Sequence, residues 1–516
     1  MMLKKVFCFF GFLLYALPLQ AQTDSIYLSS VNEILGLPLR NKAGVDIVSA
    51  SKKSERLFEA PLAASVITRE EIVASGATSV IEALRLVPGV MVRETNNGNY
   101  SVHIRGLDYV PAYAALIDAN VTQTTSLVMI DYRPVYNHLN GGIFWDLLPI
   151  DIQDLERIEV VRGPASTLYG ANAVSGVIHF ITRKKSSYKD LDVNLSSQTG
   201  TMNTLLLNTI IGYRLSPKLN FQLSSNYQNR ERENLYFDDL TNDYVPLDSL
   251  LPDAQLRETT SPNPGISLQK YGLNAYLNYQ PSSKISFDLS AGLANNVAHR
   301  VSGGGRIPME YNQSRNAYVT LNSTVHRLKT YASYWWGRDG TFSLLAPYNY
   351  RVLDATTEYD FQPIKNLTLT PSAAVRFVDY KEDLSTGKDQ LLEDNATSFT
   401  YAGGVKLDYK LAKKWRIIGG IRAEKFKFPN QIYLNYQAIL AYKPTEKHFF
   451  RLLYGRANTG SFLYNNKVNI SVTPPIAAPP GFDGFKVTNQ GVPDVEPITQ
   501  DMIELGYRGK LNNRVL

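Results

Sequence analysis

The side chains best suited to holding a metal ion are six histidines: His103, His138, His179, His299, His326 and His448. None is spaced from another as ligands on one helix turn or one hairpin would be. His138 and His299 fall in predicted loops, where an imidazole could touch a ligand; a solvated loop histidine is the plainer reading. Acidic side chains gather from Glu231 to Glu258, including Asp238, Asp239, Asp243, Asp248 and Asp253. Oxygen-rich loops can hold calcium, but the EF-hand spacing is missing, so a solvated external loop is expected. Gly303, Gly304 and Gly305 precede Arg306 without the strand and helix of a phosphate loop. No Ser-His-Asp arrangement or paired-carboxylate site stands out, and Gly-x-Ser-x-Gly is absent. These residues predict no catalytic centre, no bound metal and no cofactor, in a protein that is not an enzyme.

The most ordered pattern is the stretch Leu155 to Lys184. Two strand-like runs, Ile158–Val161 and Val177–Thr182, flank a centre of small residues. Gly163, Gly170 and Gly176 can supply left-handed backbone or a close approach, and Pro164 fixes one turn residue. A compact strand–turn–strand module follows, with little room for bulk at its bends. Upstream, Thr68-Arg-Glu-Glu71 is a capping box and Gly76 stops the helix. Ser79-Val-Ile-Glu82 is a second box, predicting a helix over Val80–Leu86 that Pro88-Gly89 ends.

The N-terminus has the build of a secretory signal peptide. Lys4 and Lys5 precede an apolar run, Val6 to Leu17, too short for a comfortable membrane span. Pro18 breaks the run and Ala21 offers a small residue before a cleavage site at Gln22. Cys8 is the only cysteine, so after cleavage no disulfide or thiol metal site is possible. Net charge is +6, with 53 Lys+Arg against 47 Asp+Glu, and no dense basic run marks a nucleic-acid partner. Beyond the leader no apolar run reaches the roughly 18 residues of a membrane helix. A membrane location therefore requires a closed β-barrel.

From about residue 188 helix signals fade and strands alternate. Leu219, Phe221, Leu223 and Tyr227 share one face; Asn220, Gln222, Ser224, Asn226 and Gln228 share the other. Tyr271, Leu273, Ala275, Leu277 and Tyr279 repeat the pattern, as do Ile285, Phe287, Leu289, Ala291 and Leu293. Strands of roughly ten residues with one apolar and one polar face suit a transmembrane barrel, lipid outside and polar lumen inside. A large soluble β-sandwich or propeller is the rival. Short turns at 216–218, 281–283 and 443–445, with long connections near 230–266, 295–311, 380–395 and 460–497, favour the barrel. About 14 strands are expected up to Arg508. The chain stops at Leu516 as another strand begins, and a bare sheet edge in lipid is untenable. The sequence therefore reads as incomplete.

The order of these features resembles the TonB-dependent outer-membrane receptors of the iron-complex and cobalamin type. Ala60-Pro61, the helix pair, Val87-Pro-Gly-Val90, Val102-His-Ile-Arg-Gly106, Leu127 to Tyr136, Gly141 to Pro149 and the segment 155–184 form that family's plug series along about 140 residues. Tyr132 departs from it, where the family usually has glycine after Ile-Asp; Asp118-Ala119-Asn120 is a weaker echo of the same motif. The resemblance implies a mainly β fold: a transmembrane antiparallel barrel of about 22 strands with an N-terminal α+β plug inside. It divides the chain into a signal peptide (1–21), a lead (22–59), a plug (60–185) and a partial barrel (186–516). It implies that Arg105, before Gly106, and Arg162 lock the plug to wall glutamates, one of them Glu504, with the second beyond residue 516. It places the segment that pairs with TonB at Val45, Asp46, Ile47, Val48, Ser49 and Ala50, with Asp24–Leu28 as the alternative. The implied activity is import of a scarce metal complex, most simply a ferric siderophore, across the outer membrane, powered by TonB and its ExbB/ExbD motor. Cobalamin, haem, copper complexes and oligosaccharides are the other cargoes; a signalling or adhesin-like receptor is the other class. The sequence shows neither the sandwich domain common in oligosaccharide importers nor the extra N-terminal domain usual in signalling receptors.

Overall fold

The computed structural model describes residues 44–106, 124–183, 191–238, 241–250, 252–301, 309–340, 346–387, 390–392, 396–472, 487–511 and 514–515. The signal peptide, the 24–28 segment, Asp118–Asn120, Lys184–Tyr188 and the glycine triplet at 303–305 lie outside the described residues.

The N-terminal part begins with a small ribbon, β1 (Asp46–Ile47) against β2 (Glu55–Arg56). β3 (Ala63–Thr68) then runs into α1 (Arg69–Ala74). The capping box forms: the Thr68 N–H donates to Glu71 Oε2 (3.0 Å), and the Glu71 N–H to Thr68 Oγ1 (3.4 Å). Gly76 ends the turn at φ +69°. The second box caps less. The Glu82 N–H reaches Ser79 Oγ (3.1 Å), but the helix is a short 3₁₀ stretch over Glu82–Leu86 rather than Val80–Leu86. Val87 closes it with a bond to Leu84, and Pro88 has no N–H to continue. β4 (Val90–Asn96) and β5 (Asn99–Ile104) form a hairpin.

β6 (Ser126–Ile130), β7 (Arg133–Pro134), β8 (Leu155–Arg162), α2 (Ser166–Tyr169) and β9 (Gly176–Thr182) complete this domain. β3, β8, β9, β6 and β7 lie side by side in one sheet, with β6–β9 parallel and the other pairs antiparallel. Leu84, Val102, Ile104, Leu127, Ile158, Val160, Ile178 and Phe180 fill its core. The bend between β8 and β9 holds a helical turn as well as glycines. Gly163 and Gly170 take φ +104° and +83°, and a Cβ at Gly176 would overlap the Val161 carbonyl. Asp131 and Tyr132 take φ +47° and +70°, so the left-handed turn forms although glycine is replaced.

Fourteen long strands follow, each antiparallel to the next. They are β10 (Leu191–Gly200), β11 (Thr204–Ser216), β12 (Leu219–Glu231), β13 (Ile266–Ser282), β14 (Ile285–Val301), β15 (Met309–Val325) and β16 (Leu328–Asp339). β17 (Tyr348–Tyr359), β18 (Leu367–Glu382), β19 (Ala396–Leu411), β20 (Trp415–Phe426), β21 (Ile432–Thr445), β22 (His448–Asn458) and β23 (Thr499–Leu511) complete the set. One rim carries short turns and the other carries most of the long connections. The long connections are not purely irregular: they contain a hairpin (Leu235–Asp238 with Asp243–Pro246), α3 (Leu247–Leu250), α4 (Ala254–Thr260) and α5 (Leu463–Lys467).

The faces are inverted relative to a water-soluble protein. Phe221, Leu277, Leu289 and Leu321 align across four strands and point outward, 36–43% exposed. Gln222, Ser224, Asn226, Gln228 and Asn274 point inward and are buried. A soluble sandwich would bury the leucines and solvate the amides, so this is a membrane barrel wall wrapped around a plug. Among the described residues the sheet order runs from β10 through β23 to a two-residue strand, Arg514–Val515, and does not close into a ring.

Candidate functional site

Three clusters tie the plug to the wall. The first lies at the short-turn rim. Residues 45–50 are packed away here, with Ile47, Ser49 and Ala50 buried. The backbone N–H groups of Val48 and Ser49 donate to Glu159 Oε2 at 3.0 and 2.7 Å. The Tyr169 hydroxyl donates to the Ser49 carbonyl (3.0 Å). The Tyr132 N–H donates to His179 Nε2 (3.1 Å), which leaves the proton on Nδ1 to donate to Ser49 Oγ (2.9 Å). Glu159 and His179 face each other across β8 and β9. Arg157 Nε completes the carboxylate's partners at 2.7 Å.

The chain just beyond is clasped by the wall. Lys406 Nζ donates to the Ser51 carbonyl (2.6 Å). Lys52 pairs with Glu358; burial lowers the lysine's pKa, and the glutamate opposes that shift. Arg416 pairs with Glu55 (2.5 Å) and Lys443 with Glu59 (2.6 Å). Arg508 donates to the carbonyls of Ala60 and Leu62, both at 2.6 Å. Polar backbone that would otherwise be buried without partners is thereby satisfied.

The second cluster sits around Glu504. Arg105, at φ +58°, pairs with Glu504 Oε2, and Arg451 of the wall pairs with Oε1 (2.6 Å). Arg162 does not join them. Its guanidinium donates to the Pro88 carbonyl inside the plug, and no ion pair to it occurs among the described residues. Burial lowers the Arg162 pKa, and the cations Arg105 and Arg451 add to the effect. The glycine-rich bend packs beside this cluster. Pro164 lies against Gly455, Thr167 against Gly420, and a Cβ on Gly170 would come within 2.9 Å of Glu424 Oε1. Thr167 Oγ1 donates to Gln437 Oε1 (2.8 Å). The lack of bulk in this bend is thus set by the wall as much as by the turn.

The third cluster is at the rim of long connections. The β4–β5 tip docks there: Asn96 Nδ2 donates to the His299 carbonyl (2.8 Å), and Asn97 Nδ2 to the Glu231 carbonyl (3.0 Å). The two candidate ligand histidines are not solvated loop residues. His138 is buried beside Tyr136 and Trp335, with ring centroids 4.5 and 6.0 Å away. Burial, reinforced by Arg376, pushes its imidazole well below the ordinary value and keeps it neutral. His299 belongs to β14 and is buried, bonded to Ser261 Oγ (2.8 Å) and the Ile266 carbonyl (2.5 Å). Its strand outruns the expected 295–311 connection, so the ring fills a structural position. Among the described residues no three His, Cys, Asp or Glu side chains cluster as metal ligands.

An outward-apolar wall with a mixed-sheet domain lodged in its polar lumen defines a plugged outer-membrane receptor fold. Family comparison agrees: residues 56–177 match the TonB-dependent receptor plug domain, and 172–516 match the TonB-dependent receptor-like β-barrel. The chain belongs to the TonB-dependent receptors. It is 38% identical over 152 residues to an iron-regulated outer membrane virulence protein of Vibrio cholerae serotype O1, covering 29% of this chain and 22% of the relative. It is 31% identical over 153 residues to the vitamin B12 transporter BtuB of Vibrio vulnificus, with the same coverages of 29% and 22%. These alignments span about a fifth of the relatives' length. The siderophore receptor PirA of Acinetobacter baumannii shares the fold at TM-score 0.63 and 16% identity, covering 88% of this chain and 69% of that one. The ferric yersiniabactin uptake receptor FyuA of Yersinia pestis does so at 0.57 and 14%, covering 88% and 70%.

Sequence reasoning missed Glu159 and His179. Each is a polar residue inside an apolar strand run, which is a signal, but their meeting over Ser49 depends on the β8–β9 register. The clasp of Lys52, Lys406, Arg416, Lys443 and Arg508 was invisible for the same reason.

Proposed function

We propose that this receptor imports a scarce metal complex, a ferric siderophore, across the outer membrane, and that residues 45–50 are the segment TonB engages. The carrying observation is the position of that segment: a two-residue strand, Asp46–Ile47, that runs into a turn over 48–50 at the short-turn rim, held by plug side chains and a small ribbon with Glu55–Arg56. Short turns face the periplasm in outer-membrane barrels, where TonB reaches. In this reading the exported chain loses its leader at Ala21, and the long connections face the exterior and meet the cargo.

Strand addition needs free backbone groups. Val48 and Ser49 spend theirs on Glu159, so the segment must leave its seat before TonB can pair with it. Cargo bound at the outer rim contacts the plug, shifts it, and loosens the Glu159–His179–Tyr169 seat. TonB, drawing on the ExbB/ExbD motor, then pulls the freed strand. Force on it passes to the Lys52–Glu358 and Arg416–Glu55 pairs and then to the plug sheet. Arg105 and Glu504 hold the plug in register until that pull. The names of the relatives support iron-complex cargo, and that of BtuB keeps cobalamin as the alternative. Growth and radiolabelled uptake of a deletion strain on defined siderophore, haem and cobalamin sources tests this. Loss of one ferric siderophore is expected; unchanged uptake of every iron complex contradicts the reading.

A further inference from the structure

A cavity of about 370 Å³ opens at the outer rim, between the plug turn at Asn140 and the β22–β23 connection. Its floor is fixed to the plug. The Leu463 N–H donates to the His138 carbonyl (3.2 Å), and the Tyr464 N–H to the Leu139 carbonyl (2.7 Å). Gly141 takes φ +82°, and a Cβ there would overlap the Phe462 ring. A ligand in this space touches plug and outer connection at once.

The lining mixes amide and hydroxyl side chains with aromatic and aliphatic ones, Val492, Val495 and Ile498 among them. Asn140, Asn466, Gln490, Phe462 and Tyr464 face it, and Glu496 is the one charged side chain among the described lining residues. Asn466 is buried and donates through Nδ2 to Ser461 Oγ (3.0 Å) and the Phe462 carbonyl (2.6 Å). Its Oδ1 has no hydrogen-bond partner among the described residues. An anionic guest needs cationic partners as it loses water, and this lining offers a carboxylate instead.

We propose that this cavity selects ferric complexes of zero or positive net charge, of the trihydroxamate class, over tris-catecholates. Glu496 is the specificity-determining carboxylate. Three hydroxamates neutralise ferric iron, whereas three catecholates leave a trianion. The inference rests on the metal-complex reading above.

The test is fluorescence-quenching titration of the purified receptor at low ionic strength. The probes are a linear ferric trihydroxamate bearing an ammonium group, its neutral N-acetylated form, and a ferric tris-catecholate. Both hydroxamates are expected to bind, the ammonium form more tightly by on the order of fivefold, and the catecholate more weakly than either. Glu496→Gln should bring the ammonium-to-acetyl ratio to about one, and Glu496→Lys should strengthen catecholate binding. A catecholate that binds as tightly as the hydroxamates, an unchanged ratio in Glu496→Gln, or no hydroxamate binding overturns the proposal. Catecholate-specific uptake would do so while leaving iron import standing. Hydroxamate binding without any uptake would remove the import reading and leave the charge selection intact.

Discussion

Glu159 decides whether residues 45–50 are available. One carboxylate oxygen accepts two successive backbone N–H groups in a buried setting, a charge-assisted arrangement. Glu159→Gln keeps the shape and removes the charge, at a cost of about 1–2 kcal/mol to the seat. Amide hydrogen exchange at Val48 and Ser49 should then quicken by roughly tenfold or more, since 1.4 kcal/mol is a factor of ten. Unchanged exchange would mean the seat rests on Tyr169 and His179 alone. Asp154 gives the plug a pH dependence. Burial raises its carboxyl from the ordinary 3.8 to about 6, against hydrogen bonds from Ser224 and the Asp151 N–H that lower it. The folded plug therefore binds this proton more tightly than the unfolded chain. Its contribution to stability is fully present below pH about 4 and is lost as pH rises through about 6, amounting to about 3 kcal/mol at most. Asp154→Asn should flatten the thermal midpoint of the plug between pH 4 and 7; an unaltered slope would exclude Asp154 as its source.

At the scale of elements, the bend between β8 and β9 is where plug meets wall. Gly170 sits at φ +83°, ψ −167°, a region that side chains avoid, with Glu424 close by. Gly170→Ala should cost about 1–3 kcal/mol, read as faster exchange or proteolysis across 163–176 while barrel strands stay protected. Equal protection in both forms would contradict this placement. Much of this layer was legible beforehand. The Thr68–Glu71 box, the Gly76 stop, the 155–184 module and the barrel alternation all follow from local residue chemistry. What was not legible depends on partners distant in sequence. His299 read as a loop residue because the strand's outer end, Asn295 to Arg300, leaves the membrane band and loses its apolar face. Arg105 could be matched to Glu504 through resemblance, yet Arg451 as their shared third member required the wall register. The Arg162 contact with Pro88 depends on β8 passing the turn that follows the 3₁₀ stretch, which no local pattern encodes.

For the whole molecule, the apolar band decides the solvent. Leu289 lies in the row formed with Phe221, Leu277 and Leu321. Leu289→Arg should destabilise the inserted barrel by about 2–4 kcal/mol near the bilayer midplane. Heat-modifiable migration on gels would report a smaller folded fraction; a variant that inserts as well as the parent would argue that this face does not meet lipid.

Residues 45–50 are the proposed handle for energised import. The most direct measurement is radiolabelled ferric-complex binding and uptake by cells expressing the receptor from its own gene, with and without TonB, and with Ile47→Pro. Proline removes a backbone N–H from the proposed strand while leaving the outer rim untouched. The expected result is surface binding at the parental level, with uptake reduced to that of cells lacking TonB. Uptake that survives Ile47→Pro, or that proceeds without TonB, would contradict the account.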